Sequence, residues 1–338
     1  MTFALVLALL LFLFNILTSR AFAGLFAPGS GVAEVNGEGY ATLSEALSAW
    51  TEGSTLRLTS DVTTDSTINV PTGEHILDLN GYGIKMTGSG SVINIVGGAN
   101  LRVDDSNEDA LHRFTVSNAQ SNGAGLATVD DSLTSGYKTF KGGYITGGNA
   151  SNGGGILIAS NAYLTLNGGT VIGNQSNWMG AGIKNSNTDD TEGKSFIMNG
   201  GSIIYNSISG WGSGVCSDSG VTINGGTIAY NYASKNPGGI HGHYIYINGG
   251  CIENNYSNGT EYASGVHSDH EVFISGDTVI CGNLTNGDPY NLDWDRTEYK
   301  HGHMINITGA LSDNAKIGVT MCISGTGRIY KRLEGQYG

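Results

Sequence analysis

Short runs of alternating apolar and polar residues recur along most of the chain. Tyr163-Leu164-Thr165-Leu166 and Tyr244-Ile245-Tyr246-Ile247 place every second residue on one face, the period of a half-buried β-strand. Similar runs surround Leu56, Ile68, Leu77, Ile93 and Leu101, and Gly and Asn turns separate them. Few helices fit between these runs, which excludes a doubly wound α/β sheet and favours a parallel coil. One helix is expected ahead of them. Thr42 and Glu45 have the spacing of a capping box, and Leu43, Ala46, Leu47 and Trp50 form a stripe at helical spacing. This segment is suited to covering the open end of a β-structure, which would otherwise pair with other chains.

Within the second half, an Asn-Gly-Gly signature begins at Asn167, Asn199, Asn224 and Asn248, and in the degenerate form Ser-Gly-Asp at Ser275. These starts lie 32, 25, 24 and 27 residues apart, and a period of this size indicates a solenoid. Seven residues after each of the first four comes a further Asn, at Asn174, Asn206, Asn231 and Asn255; the fifth slips by one to Asn283. Asn tolerates the left-handed backbone conformation, and its amide can bond the same amide one coil away. The Gly pair suits a turn with positive φ. Val171, Ile203, Ile228 and Ile252 are expected to stack inside. The predicted fold class is all-β, a right-handed parallel β-helix (solenoid) with a short N-terminal capping helix. The expected organisation is a cap over residues 24–53, irregular coils over 54–141, regular coils over 142–285, an insertion over 286–300 and C-terminal coils over 301–338. Residues 104–141 are polar and irregular and read as a protruding loop or distorted coil.

Composition narrows the partners. The 338-residue chain has a net charge of -13 and no Arg between Arg113 and Arg296. It lacks the basic stripe that displaces phosphate counterions, which excludes nucleic acid as a partner. Residues 1–23 read as a signal peptide, with an apolar run from Phe3 to Leu17 and a small-x-small site ending at Ala23. Secretion or surface display is therefore expected, with no transmembrane span after cleavage. Cys216, Cys251, Cys281 and Cys322 show no metal-finger spacing and read as small, buried or half-buried residues.

Gly-Gly-Thr-Ile-x-x-Asn, as at 225–231, together with Gly-Gly-Gly-Ile at 153–156, resembles the repeats of bacterial adhesin-like surface proteins and chlamydial polymorphic outer-membrane proteins, within the pectate-lyase-like superfold. Segments 40–46, 77–81 and 315–321 resemble the entry and exit of such modules. The resemblance covers most of residues 35–327 and implies surface display with a binding or structural role. The chain stops soon after the last module, so a truncated or very short member is expected. Fold resemblance alone does not assign an activity.

Aligning the coils puts distant residues into columns. One outward column is Lys184, Cys216, His241, His267 and His301; the other is Ser186, Asp218, His243, Asp269 and His303. Neighbouring rungs are about 4.8 Å apart. The simplest reading is a polar solvent face with cross-rung pairs. Two functional readings compete with it. His241, His243, His267 and Asp269 combine imidazole with carboxylate and suit a divalent metal as cofactor. Alternatively, Asp218 and Asp269, two rungs or roughly 10 Å apart, with His243 beside them, form a catalytic set for a glycoside hydrolase acting on a neutral polysaccharide. A polysaccharide lyase fits less well, because the coils lack the cations that neutralise a uronate. Tyr290, Trp294 and Tyr299 in the insertion, with His241 and His267, are candidates for binding a polysaccharide, a cell-surface glycan or a protein partner.

Overall fold

The computed structural model describes residues 31–294, 305–323 and 327–333, with the backbone alone for Trp294 and from residue 320 onward. The expected signal peptide, Tyr299, His301 and His303 lie outside the described residues.

The architecture is a right-handed parallel β-helix. Each regular coil crosses one broad sheet twice, then a second sheet, then a narrow third one. On the first crossing, Ile93, Ile156, Ile183, Val215, Ile240, Val266 and Leu292 lie in parallel register. On the second crossing, Leu101, Leu164 and Phe196 align, as do Val221, Ile245, Val272 and Ile305. The second sheet stacks Ile84, Ile145, Val171, Ile203, Ile228, Ile252, Ile280 and Ile317. Nearly all of these side chains are fully buried in one continuous core. Each stabilises the coil by about 1.5–3 kcal/mol relative to exposure.

The helix spans Leu43–Ala49. Thr42 Oγ1 accepts from Glu45 N at 3.2 Å, and Glu45 Oε2 accepts from Thr42 N at 3.0 Å, so the capping box is formed. Ala46 and Trp50 bury against the first rung, and Trp50 Nε1 donates to Ile76 O at 3.1 Å.

Two asparagine ladders hold the rungs in register. The inner one runs Asn174, Asn206, Asn231, Asn255, Asn283 and Asn291, each Nδ2 donating to the next Oδ1 at 3.0 or 3.1 Å. For the first five ladder asparagines the left-handed backbone is at the residue before the Asn, not at the Asn: Gly173, Tyr205, Tyr230, Asn254 and Gly282 have φ between 53° and 67°. This frees the Asn amide to be buried and fully bonded. The outer ladder is made by the signature itself, with Asn199, Asn224 and Asn248 each donating to the preceding Asn at 2.8–2.9 Å. The second Gly of the signature takes positive φ, for instance Gly226 at 83°.

Residues 104–141 depart from expectation. Leu111–Ser117, Leu126–Val129 and Lys138–Lys141 form an antiparallel three-stranded sheet. Phe114 and Phe140 pack it onto the second sheet, where Tyr205 and Tyr230 stack 4.9 Å apart. The buried Asp105 carboxylate anchors its base, accepting from Gly81 N at 2.7 Å and Gly143 N at 2.6 Å. Of the expected insertion over 286–300, the described residues reach Trp294 and include part of a rung. Leu292–Trp294 fills the first half of a rung beside Val266, and Ile305–Leu311 fills the second half beside Val272.

Candidate metal centre

The first column forms in register. Lys184 pairs with Cys216, Cys216 with His241, and His241 with His267. Asp293 pairs with His267 in the next slot, and His301 lies outside the described residues. Strand alternation points these side chains away from the core, yet Lys184 is only 3% exposed and His267 only 1%. Over the two histidines the cover comes from the turns that lead into their neighbouring strands. The Trp211 ring lies 5.1 Å from His241 and 5.2 Å from Tyr262, and Tyr262 lies 4.3 Å from His267. The column is therefore a buried polar seam. Lys184 Nζ pairs with Asp218. Cys216 Sγ is 3.6 Å from His241 Nδ1. His241 and His267 stack at 5.5 Å with 9° between their planes. His267 Nδ1 donates to Asp293 Oδ1 at 2.6 Å, while Asp293 Oδ2 accepts from Ala263 N at 3.0 Å.

A bulge brings the second column onto the first. Gly242 pairs with Ser268, but Tyr244 pairs with Glu271, so Asp269 and His270 together oppose His243. Such an extra residue bends the strand and re-aims a side chain. Ser268 Oγ pins the bulge by donating to His243 O at 2.7 Å and accepting from His270 N at 3.1 Å. Asp269 consequently reaches three imidazoles. Its Oδ2 lies 3.2 Å from His241 Nε2 and 3.3 Å from His243 Nε2, and its Oδ1 lies 3.4 Å from His267 Nε2.

Charge and hydrogen bonding say different things about this cluster. Burial favours the neutral form of His267, but the carboxylates of Asp293 and Asp269 outweigh it and raise its pKa to about 9. Burial likewise opposes charge on His241, and Asp269 and Cys216 override it to raise the pKa. Burial would raise Asp269, but the three imidazoles hold it well below the usual carboxylate range. The separations thus fit ion pairs. The alignment does not fit hydrogen bonds: Nε2 of His241 and of His267 are buried without a hydrogen-bond partner. Geometry is the better guide here, because an N–H donor weakens steeply when it points away from its acceptor.

Donor atoms of His241, His267 and Asp269 all lie within 4.8 Å of one another, so the three can hold a divalent metal ion. Ligands about 2.0–2.1 Å from one ion sit roughly 3.0–3.4 Å apart; His241 Nε2 lies 3.2 Å from Asp269 Oδ2, and His267 Nε2 lies 3.4 Å from the other oxygen, Oδ1. With a metal bound, the His267–Asp293 bond would supply the outer carboxylate that orients a ligating histidine. Comparison with protein-family models, curated proteins and solved structures finds no match. Function must accordingly be argued from the site.

The remaining candidates are placed as follows. His243 touches Asp269 from the outer, part-exposed side and lies outside the tight three-residue set. Asp218 turns to Lys184, so the two candidate catalytic carboxylates have separate partners. Tyr290 is 2% exposed and packs inside, so its ring is not presented to a ligand. Trp294 is described only as backbone, opposite Ser268. The alignment of coils missed Asp293, Trp211 and Tyr262. The ladder asparagines gave no signal for Asp293: the first five each precede a strand of the third sheet, whereas Asn291 precedes Leu292–Trp294 in the first.

Among the described residues no helix is long and apolar enough to cross a membrane. Cys216 is buried, Cys251 and Cys281 are half-buried, and all three are free thiols.

Proposed function

We propose that this is a secreted or cell-surface solenoid of adhesin-like type that binds a divalent transition metal at His241, His267 and Asp269. The observation that carries the reading is the pair of buried imidazole Nε2 atoms that flank one carboxylate without an aligned hydrogen bond. Two imidazoles with one carboxylate suit Zn, Ni or Cu better than Mg or Ca, which favour all-oxygen shells. Three protein donors leave a further coordination position for an outside ligand. Asp269, 32% exposed on its side chain, and His243, 35% exposed, mark the side from which that ligand arrives. A glycan or a protein at a cell surface is the class of partner this arrangement serves.

The hydrolase reading is less well supported. A glycosidase needs one carboxylic acid kept protonated. Asp269 is pushed the opposite way by its imidazoles, and Asp218 is spent on Lys184.

The test is calorimetric titration of chelator-treated protein with Zn, Ni and Cu, alongside elemental analysis of the purified protein. One equivalent of tight binding is expected in the wild type, with loss in His241→Ala and in His267→Ala. No saturable binding of any of the three metals would refute the proposal.

A further inference from the structure

A second site sits away from the histidines, where the repeat is longest. Asn167 and Asn199 are 32 residues apart, against 24 or 25 for the next two coils, so this coil carries about eight extra residues. The excess forms a loop over residues 188–194 that stands beside the strand Tyr163–Leu166. Between loop and strand lies a cavity of about 460 Å³ lined by Tyr163, Asn161, Thr188, Asp189, Thr191 and Glu192, among others. This volume is within the range of small-ligand pockets.

The loop is held in place by its own bonds. Asp190 accepts from Ser195 N at 2.5 Å and from Ser195 Oγ at 2.6 Å. Gly220 N donates to Asp190 O at 2.7 Å, and Tyr246 Oη donates to Thr191 O at 2.7 Å from two coils away. The pocket is thus built before any ligand arrives, which lowers the ordering cost of binding.

Its lining selects a chemical class. Tyr163 is 46% exposed and supplies the only aromatic ring among the lining residues. The rest are hydroxyl, amide, carboxylate and one ammonium group, so an apolar ligand gains little. Lys194 is paired with Glu192, and Asp189 and Asp190 leave the lining net negative, so phosphates and uronates are repelled. What remains is an uncharged ligand with many hydroxyls and an apolar face to lay on a ring. We infer that this pocket binds a neutral saccharide, with Tyr163 as its stacking platform and Asp189 and Asn161 among its hydroxyl partners. This site is independent of the metal centre.

The experiment is calorimetric titration of the full chain with linear gluco-, manno- and galactotetraose, with a galacturonate tetramer and with Ca²⁺. At least one neutral tetraose should bind saturably and the galacturonate tetramer should not. Tyr163→Ala should weaken that binding about tenfold or more, and Tyr163→Phe should retain it, because the ring and not the hydroxyl makes the stacking contact. Tyr163 is a surface residue, so both variants should keep the wild-type unfolding transition. Binding should persist in chelator and in His267→Ala, which separates this site from the metal. The inference is overturned if no neutral tetraose binds, if Tyr163→Ala binds as well as the wild type, if the chelator abolishes binding, or if the pocket takes only Ca²⁺.

Discussion

Replacing Asp293 by Asn tests the metal centre without touching a ligand. The substitution keeps the shape of the side chain and an oxygen to accept from Ala263 N, now at 3.0 Å. It removes the negative charge that faces His267 Nδ1 at 2.6 Å. That charge makes Nε2 a better donor to a cation and fixes the ring's tautomer. Loss of such an outer partner typically costs about 10–100-fold in metal affinity, or about 1.4–2.7 kcal/mol. A second consequence concerns protons. His267 has its pKa raised to about 9, with Asp293 the strongest raising influence, so the metal-free wild type holds a proton there at pH 7.5 that the metal must displace. Asp293→Asn should therefore release fewer protons on binding. The assay is competition against a chromophoric chelator for affinity, with calorimetry in buffers of different ionisation enthalpy for the proton count. Affinity within twofold of wild type, or an unchanged proton count, would refute the outer-carboxylate role. Complete loss of binding equal to that of His267→Ala would refute the assignment of Asp293 to the outer shell.

Other outcomes follow from the same geometry. Wild-type metal affinity should rise with pH up to about 9, where the proton on His267 ceases to compete, as checked by chelator competition across that range. In the metal-free protein the raised His267 pKa contributes stability that is fully present below the unfolded value of about 6.5. That contribution is lost as pH rises through about 9, so denaturant midpoints should fall over that window in the wild type and fall less in His267→Gln. Asn231→Ala removes the acceptor for Asn206 N and Nδ2 and the donor to Ile203 O, all buried. A loss of about 3 kcal/mol in chemical denaturation is expected, and a loss below about 1 kcal/mol would show that the ladder is not needed for register. Asp105→Ala frees the Gly81 and Gly143 amides at the base of the antiparallel sheet. It should raise amide exchange in Leu111–Ser117 while leaving Ile203 and Ile228 protected.

How much of this was legible in the chain depends on which interaction set each feature. The coil stack was readable because register is fixed by side-chain alternation and by Asn, and both are local. Val171, Ile203, Ile228 and Ile252 could be aligned by counting, and they do stack. The second column could not be read in the same way. Period-two counting assumes an unbroken ladder, and the bulge at Asp269 and His270 breaks it. Counting also fails to show cover: alternation sends His241 and His267 outward, and only the folded turns bearing Trp211 and Tyr262 close over them. The antiparallel sheet at 111–141 was hidden for a related reason. Its strands pair within an insertion, so they carry no trace of the coil period.

The bulge also explains why the chemistry is concentrated in this part of the face. In a regular ladder, His243 and Asp269 would stand side by side on the second column, with His241 and His267 on the first. Opposite charges would then pair one to one, at a few tenths of a kcal/mol each. One extra residue swings a single carboxylate across to both columns, where it meets three imidazoles and leaves the buried Nε2 atoms of His241 and His267 without aligned hydrogen bonds. A cluster of that kind is costly unless something else completes it, because buried polar atoms left unpaired destabilise a fold. A bound cation would complete it, since it accepts lone pairs from several directions at once. Deleting His270 to restore the regular ladder should consequently weaken metal binding while raising the stability of the metal-free protein. If the deletion destabilised the metal-free solenoid, the bulge would be a requirement of the coil and not of the site.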